Sequence, residues 1–417
     1  MSEPSAPSTL TRTLRIAVPL GVPVLVLLGA CWFSAHSAAR IWPPVDTPAL
    51  DSLPSALPSC AGADARLQDL LRIAENVDKH STSIGLDVEL QGALDHLLDC
   101  GGLLLVGGPV ARRAGTRLEL VGERRLARAA RRSEAGDLVG GAGDLAAALE
   151  LSAILEHAGG DLALCSAGVE LGALTLDAME RWLDANPDAS DEALVPLAAA
   201  LADQVVLPGG VANAMVWECR DKEAALTNLG AIPAPAILLE PAGVPLWVGW
   251  VAEWLPGATV YDVPRTLAMH RHHCALRVDA VNAGGDWDDA ELGPVLWDRE
   301  QLALGPLLDN PLGRITLSRD DLLPRVNAVI QAERTLRSRR ALLATRVAVE
   351  RGSLAHDGLL PLQLELLVPE FLAASPVDPV DGKPINWVRG YGEIFTTREV
   401  AGPEGQPQRL VTTVPER

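Results

Sequence analysis

Eighteen consecutive residues without a charge, IAVPLGVPVLVLLGACWF from Ile16 to Phe33, constrain this chain more than any other feature. As a helix rising about 1.5 Å per residue, such a run covers about 27 Å, close to the hydrocarbon thickness of a bilayer. The residues before it are polar and carry Arg12 and Arg15, and positive flanks favour retention on the cytoplasmic side. A Pro-rich stretch, IWPPVDTPALDSLPSALPS, follows at once. The sequence therefore predicts a cytoplasmic tail over 1–15, a transmembrane anchor or signal segment over 16–34 and a Pro-rich linker over 35–62. In this reading the protein is single-pass in the inner (cytoplasmic) membrane, its N-terminus inside and its body in the periplasm or at the cell exterior.

Inside the apolar run, Leu27-Leu28-Gly29-Ala30-Cys31 resembles a lipoprotein signal-peptide box, which makes Cys31 a candidate lipidation site. Trp32 and Phe33 carry the run past that cysteine and favour an uncleaved helix. Cys60, Cys100, Cys165, Cys219 and Cys274 have no CxxC spacing, so zinc-ribbon chemistry is not indicated. An oxidising compartment permits Cys60–Cys100 or Cys219–Cys274 disulfides, with buried free thiols as an equal alternative.

Composition bears on the body. Hydrophobic residues make up 48% of the chain and aromatic ones only 4%, a Leu/Ala/Val-rich mixture that favours helices packed on helices over a β-sandwich. The formal charge of −19 repels a nucleic-acid backbone, so no nucleic-acid partner is expected.

Helical spacing of Leu, Ile and Ala predicts an irregular antiparallel array over 63–230. Its grammar is a Gly-Asp-Leu triplet at Gly136, Gly143 and Gly160, each pairing a helix-stopping glycine with an N-capping aspartate. Helices over roughly 121–135, 144–158 and 161–185 follow from that pattern. Residues 231–310 form a Trp/Pro-rich segment with Trp247, Trp250 and Trp254 and one helix from Pro264 to Val281. A long helix then starts at Ser318 and Asp321 and reaches about Gly352. Its row of Arg334, Arg337, Arg339, Arg340 and Arg346 is expected to face the protein's own carboxylates. The tail predicts a tight turn at Asp381-Gly382, a hairpin turning near Gly390 to Gly392 and a third strand in RLVTTV. The fold class is mainly α, with a small C-terminal α+β module over 311–417.

The tail also carries a resemblance. His356, Gly358, Pro361, Leu367-Val368-Pro369, Phe371-Leu372, Pro376, Asp378-Pro379 and Gly382-Lys383-Pro384 follow a pattern similar to that of an uncharacterised family of membrane-anchored bacterial proteins. That module in turn resembles the periplasmic head of type II secretion major pseudopilins, which implies a helix covered by a small antiparallel sheet. The prepilin GFTLxE motif is absent from the anchor, and Leu360 stands where the family pattern has Tyr. In physical terms the motif is a turn, with Asp378 and Asp381 bonding nearby backbone.

Candidate chemistry concentrates in Met269-His270-Arg271-His272-His273-Cys274. His270 with His273 or Cys274 lies three or four positions apart, on one helical face, where the side chains could ligate zinc or copper. Asp286, Asp288 or Asp289 could complete the shell. HExxH is absent, and Leu164-Cys165-Ser166-Ala167-Gly168 lacks the first glycine of GxSxG. The sequence is read as that of an extracytoplasmic interaction or assembly protein with an envelope partner. The alternatives are a metal-dependent hydrolase at the His/Cys cluster and an envelope lipoprotein holding a hydrophobic ligand on its Trp segment.

Overall fold

The computed structural model describes residues 109–157, 162–202, 210–229, 261–282, 313, 317, 322–401 and 406–415. The anchor, the linker, Cys31, Cys60, Cys100, the Trp-rich segment, the acidic loop with Asp286, Asp288 and Asp289, and the start at Ser318 and Asp321 lie outside these residues. The described part is mainly α-helical, with a small antiparallel sheet near the C-terminus.

Helix α1 runs Pro109–Glu134, α2 Leu138–His157, α3 Leu162–Ala185, α4 Asp191–Ala202, α5 Gly210–Leu229, α6 Val263–Asn282 and α7 Leu322–Ala355. The α1–α2 corner shows why the chain breaks where it does. Gly136 takes φ +86°, its N–H bonds Ser133 O at 2.9 Å, and the Asp137 N–H bonds Arg132 O at 2.9 Å. These two bonds close a Schellman motif that only a residue tolerant of left-handed backbone completes without strain. Asp137 then caps α2 by accepting the Gly140 N–H at 2.9 Å.

Gly143-Asp144 does not repeat that role. It lies inside α2, so the boundary expected there is absent. Its carboxylate is 2% exposed and takes guanidinium bonds from Arg125 at 3.0 Å and from Arg128 at 2.8 Å. A capping aspartate needs free amides at a helix start, whereas this one is held by arginines of the neighbouring helix. Asp161 of the third triplet lies outside the described residues, and α3 begins right after it.

Two compact units divide the chain, and they do not follow sequence order. One comprises Met1–Asp51, Cys219–Arg277 and Asp288–Asp321; the other comprises Ser52–Glu218, Val278–Trp287 and Leu322–Arg417. In the larger unit α1, α2 and α3 pack on one another, α4 packs on α2, and α7 packs on α3 and α4. The α2–α3 approach is close: a Cβ on Gly168 would meet Glu156 N at 2.4 Å, inside any tolerable contact. Stretches of α2 and α3 are long and apolar enough to cross a membrane, yet 56% and 61% of those stretches are buried inside the structure. A core helix passes the same test, and Asp144 and Glu156 of α2 are engaged in buried ion pairs.

The C-terminal module wraps the far part of α7. Strands β1 Asn386–Val388, β2 Glu393–Ala401 and β3 Pro407–Thr413 pair antiparallel in the order β1-β2-β3. Leu342, Ala348 and Val349 of α7 share a core with Leu364, Leu367, Ile385, Ile394 and Val414, and Leu360 packs against its edge. The expected turn is present: Gly382 has φ +68°, Asp381 Oδ1 accepts the Lys383 N–H at 2.9 Å, and Asp378 Oδ1 accepts the Val380 N–H at 2.9 Å. Asp378 also receives Ser338 Oγ at 2.8 Å, which ties the loop to the helix beneath it.

Candidate functional site

Helix α6 presents the predicted cluster, and local chemistry sets its start. Asp262 accepts the Arg265 N–H at 3.1 Å as an N-cap, and Pro264 occupies the first turn, where no backbone N–H is needed. Within the smaller unit α6 lies along the end of α5. Met269 packs with Leu226 and Leu317, and Arg271 grips Glu223 through Nε at 2.7 Å and a terminal nitrogen at 3.1 Å. Tyr261 donates to Leu226 O at 2.7 Å, and burial pushes its phenol up to about 12.

Cys219 of α5 and Cys274 of α6 are joined in a disulfide, with Cα atoms 6.2 Å apart. His270 and Cys274, four residues apart, meet as their spacing predicts: Cys274 Sγ lies 3.5 Å from His270 Nε2 and 3.9 Å from Nδ1. The third member is Cys219, whose carbonyl accepts a bond from His270 Nε2 at 2.8 Å. Ligand atoms of Cys219, His270 and Cys274 lie within 4.8 Å of one another. This group could hold a metal ion, although in the disulfide form neither sulfur is a thiolate.

The sequence-derived set of His270, His273 and Cys274 thus changes in two ways. Cys274 is cross-linked rather than free, so it cannot ligate in this state. His273 is buried but does not belong to the group of three, whose missing member is Cys219. Cys219 had a signal in the sequence, since its pairing with Cys274 was one of the two disulfides the compartment allowed. Treating that pairing and the His/Cys spacing as one constellation finds all three residues.

A second concentration of charge lies in the larger unit, where the arginine row of α7 meets carboxylates as expected. Arg339 reaches Asp177 at 2.6 Å and Glu180 at 3.1 Å, Arg340 reaches Glu156 at 3.2 Å and Ser152 at 3.0 Å, and Arg346 reaches Asp184 at 2.7 Å. Arg337 pairs with Glu333 along the same helix. Burial, ahead of the pull of Arg337, holds the Glu333 carboxyl above its ordinary range, and burial lowers Arg340. Cys165, the free thiol beside them, is pushed well up by burial and then by Glu156 and Glu333. Such a thiol stays protonated and is a poor nucleophile. Ser166 donates to Glu170 one turn along α3, which is helix rather than the strand-turn-helix of a nucleophile elbow.

An open cleft of about 520 Å³ lies between α1 and α3, lined by Ala130, Ser133, Ala178, Arg181, Trp182 and Asn186 among others. Three of its polar side chains are bonded within it: Trp182 Nε1 donates to Ser133 Oγ at 2.7 Å, and Asn186 Nδ2 donates to Trp182 O at 2.8 Å. Comparison with protein-family models, with curated proteins and with solved structures found no match for this chain.

Proposed function

We propose that this chain is a membrane-anchored interaction or assembly protein of the cell envelope, its body held outside the cytoplasmic membrane by the segment 16–34. The observation that carries the reading is the Cys219–Cys274 cross-link, because such bonds persist in oxidising compartments and are rare in the cytosol. The charge-free run from Ile16 to Phe33 supplies the means of anchoring. Support for an interaction role comes from the C-terminal module, where Leu359, Leu362 and Leu366 are each about two-thirds exposed beside the buried Leu364 and Leu367. Apolar side chains presented together in this way suit a protein partner. A helix lying under a small antiparallel sheet is also what the pseudopilin resemblance leads one to expect.

Fractionation of cells making the full chain tests this reading. The protein should sediment with membranes, resist an alkaline wash, become protease-sensitive once the outer barrier is removed, and keep Cys219 and Cys274 unreactive to alkylation until reduced. Recovery in the soluble cytoplasm, with both cysteines alkylated directly, would sink it.

A further inference from the structure

The group on α5 and α6 has the ligand types, the proximity and the burial of a metal site, but its two sulfurs are bonded to each other. We propose that Cys219, His270 and Cys274 form a redox-gated site for a soft closed-shell cation, Zn2+ or Cu+, which the disulfide closes and reduction opens.

His270 lies beside the sulfurs. A carbonyl only accepts, so the 2.8 Å contact with Cys219 O places a proton on Nε2, and in the neutral ring the lone pair is then on Nδ1. Metal-binding histidines are held in this way, the far N–H on a carbonyl and the near nitrogen on the ion. Here Nδ1 lies 3.9 Å from Cys274 Sγ and the protonated Nε2 lies 3.5 Å from it, so the ring must turn to aim Nδ1 at the ion. With Zn–S bonds of about 2.3 Å and a Zn–N bond of about 2.1 Å, tetrahedral geometry puts S and N about 3.6 Å apart and the two sulfurs about 3.8 Å apart. The sulfurs must move from bonded to non-bonded separation, and the His270 ring must turn. Cys219 is 2% exposed, His270 2% and Cys274 0%, so the ion would be taken out of water, where thiolate and imidazole compete best for a soft cation.

The chemistry balances with a dithiol as reductant. Its two thiols give up two electrons and two protons, the Cys219–Cys274 bond breaks, each sulfur gains a hydrogen, and the reductant leaves as its own disulfide. Binding of the cation then releases both thiol protons, leaving two thiolates and neutral imidazole around it. Reoxidation by a disulfide, which takes up two electrons and two protons to become two thiols, restores the Cys219–Cys274 bond and expels the ion.

The test uses full-length protein in detergent, reduced with a dithiol that is removed anaerobically, with Co2+ as the spectroscopic probe. Reduced wild type should bind about one equivalent with a thiolate-to-cobalt charge-transfer band, and oxidised protein should show no such band. His270→Ala, which keeps the disulfide and should keep native circular dichroism, should weaken binding at least about 100-fold, the upper end of what losing even a supporting group costs a metal site. A Cys219→Ser, Cys274→Ser double variant should lose the band. Cys31, Cys60, Cys100 and Cys165 remain in both variants, so these differences belong to the cluster. Equal binding by oxidised and reduced protein, no binding by either, or His270→Ala binding as tightly as wild type would overturn the proposal.

Discussion

Helix α7 meets its surroundings with two unlike faces. Toward α2, α3 and α4 it sends Arg339, Arg340, Arg346 and Arg351 onto Asp177, Glu156, Asp184 and Asp191. Toward the sheet it sends Leu342, Ala348 and Val349 into an apolar core with Ile385 and Ile394. The apolar face stabilises by area removed from water, which rewards any well-filled arrangement. The charged face works differently, because each buried guanidinium tolerates only a position where a carboxylate waits. That makes it weak in net energy and demanding in geometry, and removing one partner costs more than the pair contributed.

The largest effect should come from breaking one ion pair on the charged face. Glu156 is 2% exposed and Arg340 9%, so Glu156→Ala leaves a buried guanidinium with the Ser152 hydroxyl but without its paired carboxylate. We expect a loss of about 4 kcal/mol in urea unfolding, and recovery of most of it when Arg340→Met is added. A double variant as unstable as the single one would mean that the cavity, rather than the unpaired charge, sets the cost. On the apolar face, Ile394→Ala should cost about 3 kcal/mol by losing a fully buried side chain, with no rescue by charge changes.

Smaller effects should distinguish the two regions by the sign of their pH dependence. Burial raises the Glu333 carboxyl from its ordinary 4.5, so the folded state holds its proton more tightly than the unfolded state. Its contribution is fully present below about pH 4.5 and is lost as pH rises through the raised value. Asp381, in the loop before β1, is lowered from 3.8, first by the backbone N–H of Lys383. Its contribution is present above about pH 3.8 and is lost as pH falls through the lowered value. Urea midpoints measured against pH should therefore show Glu333→Gln removing a decline above the carboxylate range and Asp381→Asn removing one below it. Parallel curves for both variants and wild type would show that neither group is linked to folding.

Much of this fold was legible from local pattern. The stop at Gly136, the cap at Asp137, the extent of α3, the turn at Asp381-Gly382 and the hairpin before β2 rest on residues a few positions apart, and such chemistry operates wherever the segment sits. The same grammar misread Gly143-Asp144. Nothing within several residues of Asp144 announces that Arg125 and Arg128 will arrive from α1 to hold it inside a continuous helix. For the candidate site, the i,i+4 contact of His270 with Cys274 follows from helical spacing, and Cys219 was available only as one of two possible cross-links.

The sequence by itself determined most of the helix ends and turns and that the arginine row on α7 needed acidic company, because propensity, capping and charge balance are local or global sums. Which acids supply that company was decided only by tertiary structure, since Asp177 and Asp184 stand more than a hundred residues before Arg339 and Arg346. The same holds for the cross-link between helices 55 residues apart in the chain. Pairing across such distances depends on how the packed helices are set against one another, and no periodicity within a single segment encodes that.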